Sequence, residues 1–298
     1  MCTIKSNYFY LTNHDDEKRL GAWINTVGFQ EIPAGSNYPV SEHPASYLFS
    51  VKKGRVLNEY QLVYITDGEG IFIPNLDDPD CEEIHIKKGT IILLYPGQRH
   101  TYYPLQKTGW KEYFIGFEGD FFFNLIKRTY PEQKNCCFNI GLNSEIIQLF
   151  LNALSMAENK FSHFQDCLVG ITFHIFGLLF IAADNTDDVS FSTKQKIEQS
   201  KIYMNEHISE MIDWDVLSRE LGVSYSWFRK EFKLITGESP AKYFAALKIK
   251  KAQKLLAEER LTAKEVAYEL GFPSPELFLS NFKRFTGQTP TDFKNSKH

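Results

Sequence analysis

Apolar residues change their spacing along this 298-residue chain, and the changes divide it. Across residues 21–123 they fall in short β-branched and aromatic runs broken by Gly and Pro. Stretches 60–66, 83–87 and 90–95 read as strands. Asp67-Gly68 and Lys88-Gly89 offer turn chemistry between them. Short strands with frequent turns predict a sandwich or small barrel. The preceding residues 1–20 are polar with scattered aromatics and read as an arm. From Ser144 the period becomes helical: Ile146, Leu149, Phe150, Ala153 and Leu154 recur on one face, then Leu168, Ile171, Ile175 and Leu178. Two helices joined within 158–164 are expected. Residues 184–188 are polar and aperiodic, which suits a linker, and everything after Thr193 reads as helical.

The helical region contains a repeat. Phe228, Phe232, Gly237 and Pro240 match Phe278, Phe282, Gly287 and Pro290 at one constant offset. Glu220-Leu221-Gly222 matches Glu269-Leu270-Gly271 at an offset one residue smaller, so the second turn is one residue longer. Each copy has the grammar of a helix-turn-helix. A short helix ends at a Gly suited to the left-handed cap position. A turn follows, and Ser224 or Ser274 can cap the next helix. On the helix beginning near Tyr225, Phe228, Phe232 and Ile235 share an inner face. Ser226, Arg229, Lys230 and Lys233 share the outer one. In the second copy Phe278, Phe282 and Phe285 lie inward, while Glu276, Ser280, Lys283 and Arg284 face out. One such polar stripe is usually just a solvated face. Two copies of a scaffold with different outward residues instead suit the reading of two half-sites in a major groove, Arg and Lys serving guanine and phosphate. The intervening helix carries Lys248, Lys250, Lys251 and Lys254 and would act as a spacer with a basic side.

Charge supports the division. The whole chain carries −4, yet Lys and Arg outnumber Asp and Glu by four over residues 192–298, and acids are in excess by eight over the rest. That asymmetry suggests an acidic module joined to one that meets polyanions. Five cysteines without a framework spacing read as free thiols. Cys136 and Cys137 lack the company of a metal site. No signal-peptide pattern opens the chain, and the apolar stretch 170–183 is short for a membrane span. A cytoplasmic protein without membrane association is expected.

Residues 194–294 resemble the DNA-binding domain of the AraC/XylS family of transcription regulators. The second repeat carries the likeness in Ala267, Gly271-Phe272, Ser274, Phe278, Phe282-Lys283, Gly287 and Pro290, and the unequal turns fit as well. The chain departs from the family pattern at Leu279, where a small polar residue is usual, and at Ser280, where Arg is common. The resemblance implies double-stranded DNA as partner, two adjacent major-groove contacts, and activation through RNA polymerase. The DNA-contacting set is Tyr225, Ser226, Arg229, Lys230, Lys233, Glu276, Ser280, Lys283 and Arg284, with Ser226, Arg229 and Lys230 as the main readers.

Gly68-Glu-Gly70 and the stretch 89–97, followed by His100, resemble the second half of a cupin motif and the arabinose-binding-type sensor of the same regulators. The fold class expected is thus α+β multidomain. It comprises an arm (1–20), a cupin-like effector-binding β-barrel (21–125), a helical dimerisation segment (140–183), a linker (184–193) and an all-α double helix-turn-helix domain (194–298). The resemblance points to Tyr102, Glu112 and Phe114, with a cation from Lys53 or Arg55, as contacts for a small effector, a sugar by analogy. Period two in the strand that begins at Trp110 puts Trp110, Glu112 and Phe114 on one side, an arrangement plain packing would also give. No catalytic residue, metal or cofactor is expected, because His100 lacks companion ligands. Two alternatives stay open: a metal-dependent cupin enzyme with an accessory nucleic-acid-binding domain, and an architectural DNA binder whose barrel senses nothing.

Overall fold

The computed structural model describes residues 5–39, 50–130, 136–183, 189–258 and 261–295, which form two compact units, 1–188 and 189–298. Cys2 and the expected linker residues 184–188 lie outside the described residues.

The first unit is built on strands β1 (Lys5–Tyr10), β2 (Trp23–Ile32), β3 (Arg55–Val56), β4 (Tyr60–Ile73), β5 (Ile84–Lys87), β6 (Thr90–Leu94), β7 (Arg99–Pro104) and β8 (Trp110–Glu118). Helix α1 (Asp120–Thr129), strand β9 (Cys137–Asn139) and helices α2 (Ser144–Asn159) and α3 (Phe164–Ala183) complete it. All pairings are antiparallel, and the main sheet runs β1-β2-β8-β4-β6-β9. The long strand β4 joins two surfaces. Its first half pairs with β8 and β6, and its second half with β5 and β7.

Two expectations differ from the structure. Asp67-Gly68 makes no turn. It is a bulge inside β4, where register against β8 shifts between Ile65 and Asp67, and Gly68 accepts the positive φ of 79° that the kink needs. The cupin-like architecture is as expected, although among the described residues its sheet does not close, the order ending at β1 on one side and β9 on the other. The arm is in part a strand. β1 pairs with β2 along its length, Tyr8 opposite Gly28 and Tyr10 opposite Thr26, because the aromatic run Tyr8, Phe9 and Tyr10 suits a half-buried edge.

Two faces of this sheet differ in chemistry because side chains alternate. Phe29, Tyr113 and Tyr64 stand in register on one face, where Phe150 of α2 meets Tyr113 and Tyr64 at ring distances of 5.6 and 6.4 Å. The opposite face carries Phe114 beside Thr26, Gln30, Gln61 and Glu112, polar groups unusual in a sheet interior yet buried. Gly28 leaves the room that Phe114 fills: a Cβ there would lie 2.0 Å from the ring. Helix α3 runs longer than the apolar stretch suggested, and residues 164–182 reach a mean hydropathy of 1.7, enough by length and composition to cross a membrane. Its Leu168, Ile175, Phe176 and Leu179 are buried in the domain core, and Gln165 accepts from Ile24 N and donates to Ile24 O, both at 3.0 Å.

The second unit comprises helices α4 (Val189–Glu206), α5 (Trp214–Glu220), α6 (Tyr225–Thr236), α7 (Pro240–Glu258), α8 (Ala263–Glu269), α9 (Pro275–Thr286) and α10 (Pro290–Asn295). It holds two small cores. Ile197, Met204, Leu217, Leu221, Phe228, Phe232 and Phe244 form the first. The second gathers Ile249, Ala252, Leu255 and Leu256 of α7 with Val266, Leu270, Phe272, Phe278, Phe282 and Phe293. Helix α7 supplies both, so it is the shared beam of the two helix-turn-helix units.

Candidate nucleic-acid interface and effector site

The two repeats share ring and cap geometry. Phe228 and Phe232 meet edge-on at 5.5 Å and 66°, Phe278 and Phe282 at 5.6 Å and 62°. Ser224 accepts from Trp227 N at 3.3 Å and Ser274 from Leu277 N at 3.2 Å. At the other end Thr236 donates to the carbonyl of Phe232, and Thr286 to that of Phe282, each at 2.7 Å. Gly237 and Gly287 close both helices in the left-handed region. Side chains fifty positions apart are thereby presented alike.

On α6, Ser226, Arg229, Lys230 and Lys233 are exposed, and with Tyr225 they line one shallow, open concavity. Tyr225 is half-buried and packs on the first core, so it contributes support as well as surface. Ile235 is a correction: it is 39 % exposed. Phe228 and Phe232 already close the core beneath α6, and Ile235 falls in the last turn beyond them. On α9, Glu276, Ser280, Lys283 and Arg284 are exposed. Hydrogen bonds from its own backbone N–H and the Ser274 hydroxyl hold the Glu276 carboxyl below its usual range. Arg284 is tethered, donating to Asn281 Oδ1 at 2.9 Å beside the ring of Phe285. Of the lysines on α7, Lys250, Lys251 and Lys254 are exposed, whereas Lys248 is buried and leaves the basic side.

In the first unit the inner face converges on Arg55. Its guanidinium donates to Tyr102 Oη at 2.8 Å, Gln61 Oε1 at 3.3 Å and His100 Nε2 at 3.4 Å, and lies over the Tyr102 ring. Tyr38 packs edge-on against Trp110 at 6.0 Å. Burial and the nearby guanidinium push His100 down to about 3, so its ring is neutral. Its Nδ1 faces the carbonyl of Gln98 at 3.1 Å, which leaves Nε2 to accept from Arg55. Burial pushes Glu112 up to about 8, with Arg55 pulling the other way. Glu112 Oε2 and Trp110 Nε1 are buried with no hydrogen-bond partner among the described residues.

Four of the five expected effector contacts (Arg55, Tyr102, Glu112 and Phe114) therefore lie on this buried inner side. Lys53 does not; it is exposed on the turn before β3, where its backbone N–H bonds the carbonyl of Ser50. Sequence reasoning passed over Gln30, Tyr38 and Gln61. The usable signal was a polar residue at an inward position of an otherwise apolar strand, as Gln61 is among Tyr60, Leu62 and Val63.

A helix-turn-helix domain model matches residues 217–296, and an AraC-like ligand binding domain model matches residues 45–166. The Msm operon regulatory protein of Streptococcus mutans is 23 % identical over 80 % of this chain and 85 % of its own length. An HTH-type transcriptional regulator of Pseudoalteromonas carrageenovora is 33 % identical over 37 % of this chain and 70 % of its own. The HTH-type transcriptional activator RhaS of Salmonella schwarzengrund is 26 % identical over 34 % and 37 %. The chain belongs to the AraC family of transcription regulators, with a ligand-binding domain followed by a helix-turn-helix DNA-binding domain.

Proposed function

We propose that this regulator reads two adjacent major-groove segments through α6 and α9 and is controlled by a small carbohydrate held on the inner face of its first unit. The observation that carries the DNA reading is the exposed quartet Ser226, Arg229, Lys230 and Lys233 on a helix whose opposite face is locked by Phe228 and Phe232. Arg229 can take guanine O6 and N7, while Lys233 suits phosphate. Control by a carbohydrate draws on Trp110, Tyr102 and Phe114 as apolar platforms beside Arg55, Gln61 and Glu112. The unpartnered Glu112 Oε2 and Trp110 Nε1 are an acceptor and a donor for ring hydroxyls. The protein works in the cytoplasm as a homodimer through its 140–183 helices, and as an activator that contacts RNA polymerase. The RhaS relative is a transcriptional activator, which favours activation. The ligand acts only through its differential affinity for two arrangements of the protein.

The test is to titrate the purified chain with a panel of neutral monosaccharides. Tryptophan fluorescence and affinity for enriched genomic DNA are read together. Saturable changes in both, lost in Arg55→Met, support the reading. A panel that moves neither quantity rejects carbohydrate control.

A further inference from the structure

We propose that α9 specifies its half-site through thymine methyl groups contacted by Leu279, so that the two half-sites differ in chemistry. This rests on the reading that both α6 and α9 enter the major groove. Because the two helices share caps, ring geometry and a constant offset of fifty, Leu279 occupies on α9 the place Arg229 has on α6, and Ser280 that of Lys230. Leu279 is 42 % exposed and stands outside the second core. A leucine cannot donate to guanine. In the major groove the apolar feature is the C5 methyl of thymine, presented beside the O4 acceptor.

The surroundings suit that assignment. Lys283 and Arg284 are exposed one turn further along, a basic rim for the phosphates on either side of an apolar centre. Arg284 is already turned toward Asn281, which draws it from the base edges. At the place of Ser226, α9 carries Glu276, whose carboxylate accepts from a cytosine amine and is repelled by the acceptor edge of guanine. A guanine-bearing segment under α6 and a thymine- and cytosine-bearing one under α9 follow, and they give the bipartite site a direction.

The experiment uses the full chain and duplexes enriched from a random pool. Every thymine of one half-site is replaced by uracil, which removes the methyl and keeps the pairing. Wild type should lose roughly three- to fivefold in affinity per contacted methyl, the transfer value of one buried carbon group, in the half-site that Arg229→Ala leaves untouched. Leu279→Ala should bind thymine and uracil duplexes equally. Unchanged binding on uracil substitution of the half-site that Arg229→Ala leaves untouched overturns the proposal while sequence-specific binding stands. No enriched sequence at all means that the groove-reading assignment has failed, and the proposal with it.

Discussion

Lys248 Nζ donates to the carbonyl oxygen of Leu270 at 2.7 Å, from the middle of α7 to the end of α8. It also donates to the carbonyl of Glu210 at 2.9 Å, and lies 4.9 and 5.4 Å from the ring centroids of Phe244 and Phe272. One ammonium thus ties the flank of the first core to the end of α8, the leading helix of the second helix-turn-helix. Burial holds it below the usual lysine range, and carbonyl dipoles with two ring faces compensate the cation.

Lys248→Met should leave two carbonyls without their donor and destabilise the helical unit by about 1–3 kcal/mol. Urea denaturation of the purified variant measures this. Lys248→Arg should recover most of the loss, and Met equal to wild type would show that the ammonium holds nothing.

Arg229 and Lys233 lie on one exposed face yet should fail differently. Arg229→Ala should cost about 1–3 kcal/mol at one base position and relax preference there. Lys233→Ala should weaken all sequences alike and reduce the salt slope of binding by about one. Binding isotherms at several salt concentrations distinguish the two.

Glu112 predicts a pH dependence with a definite sign. Burial pushes its folded value up to about 8, above the 4.5 of an exposed glutamate, so the folded state holds the proton more tightly. Its contribution is fully present below pH 4.5 and is lost as pH rises toward 8. His100, pushed down to about 3, has the opposite sign and loses stability as pH falls through 6.5 toward 3. Glu112→Gln should therefore gain stability relative to wild type as pH rises from 5 to 8, read from thermal melts across that range. A constant difference between the two proteins contradicts the assignment.

Gly28→Ala places a methyl where the Phe114 ring lies, 2.0 Å from its nearest atom. Overpacking of this kind costs about 1–3 kcal/mol. The effector response should weaken with it because Phe114 forms part of the inner wall. Melting temperature and a sugar titration of the same sample give both readings.

Much of this was legible in residue order, and the failures have physical causes. The two recognition helices follow from repeated Phe, Gly and Pro, because caps and core positions are local signals. Trp110, Glu112 and Phe114 follow from strand alternation. Asp67-Gly68 misled because a glycine at positive φ serves a bulge as well as a turn. Lys248 read as surface charge because the carbonyls of Glu210 and Leu270 that bury it lie 38 and 22 residues away. Gln61 on β4 and Tyr38 in the loop after β2 reach the Arg55 cluster only through the tertiary fold, which no local pattern records. Lys53 and Arg55 differ by two positions, and only the start of β3 decides which one faces inward.

Recovery of sheared genomic DNA by the purified full chain, followed by sequencing of bound fragments, tests the central claim most directly. The account predicts discrete sites with paired half-sites about one helical turn, roughly 10 base pairs, apart, whose enrichment collapses with Arg229→Ala. Uniform recovery that only tracks salt, the same for wild type and Arg229→Ala, would contradict it.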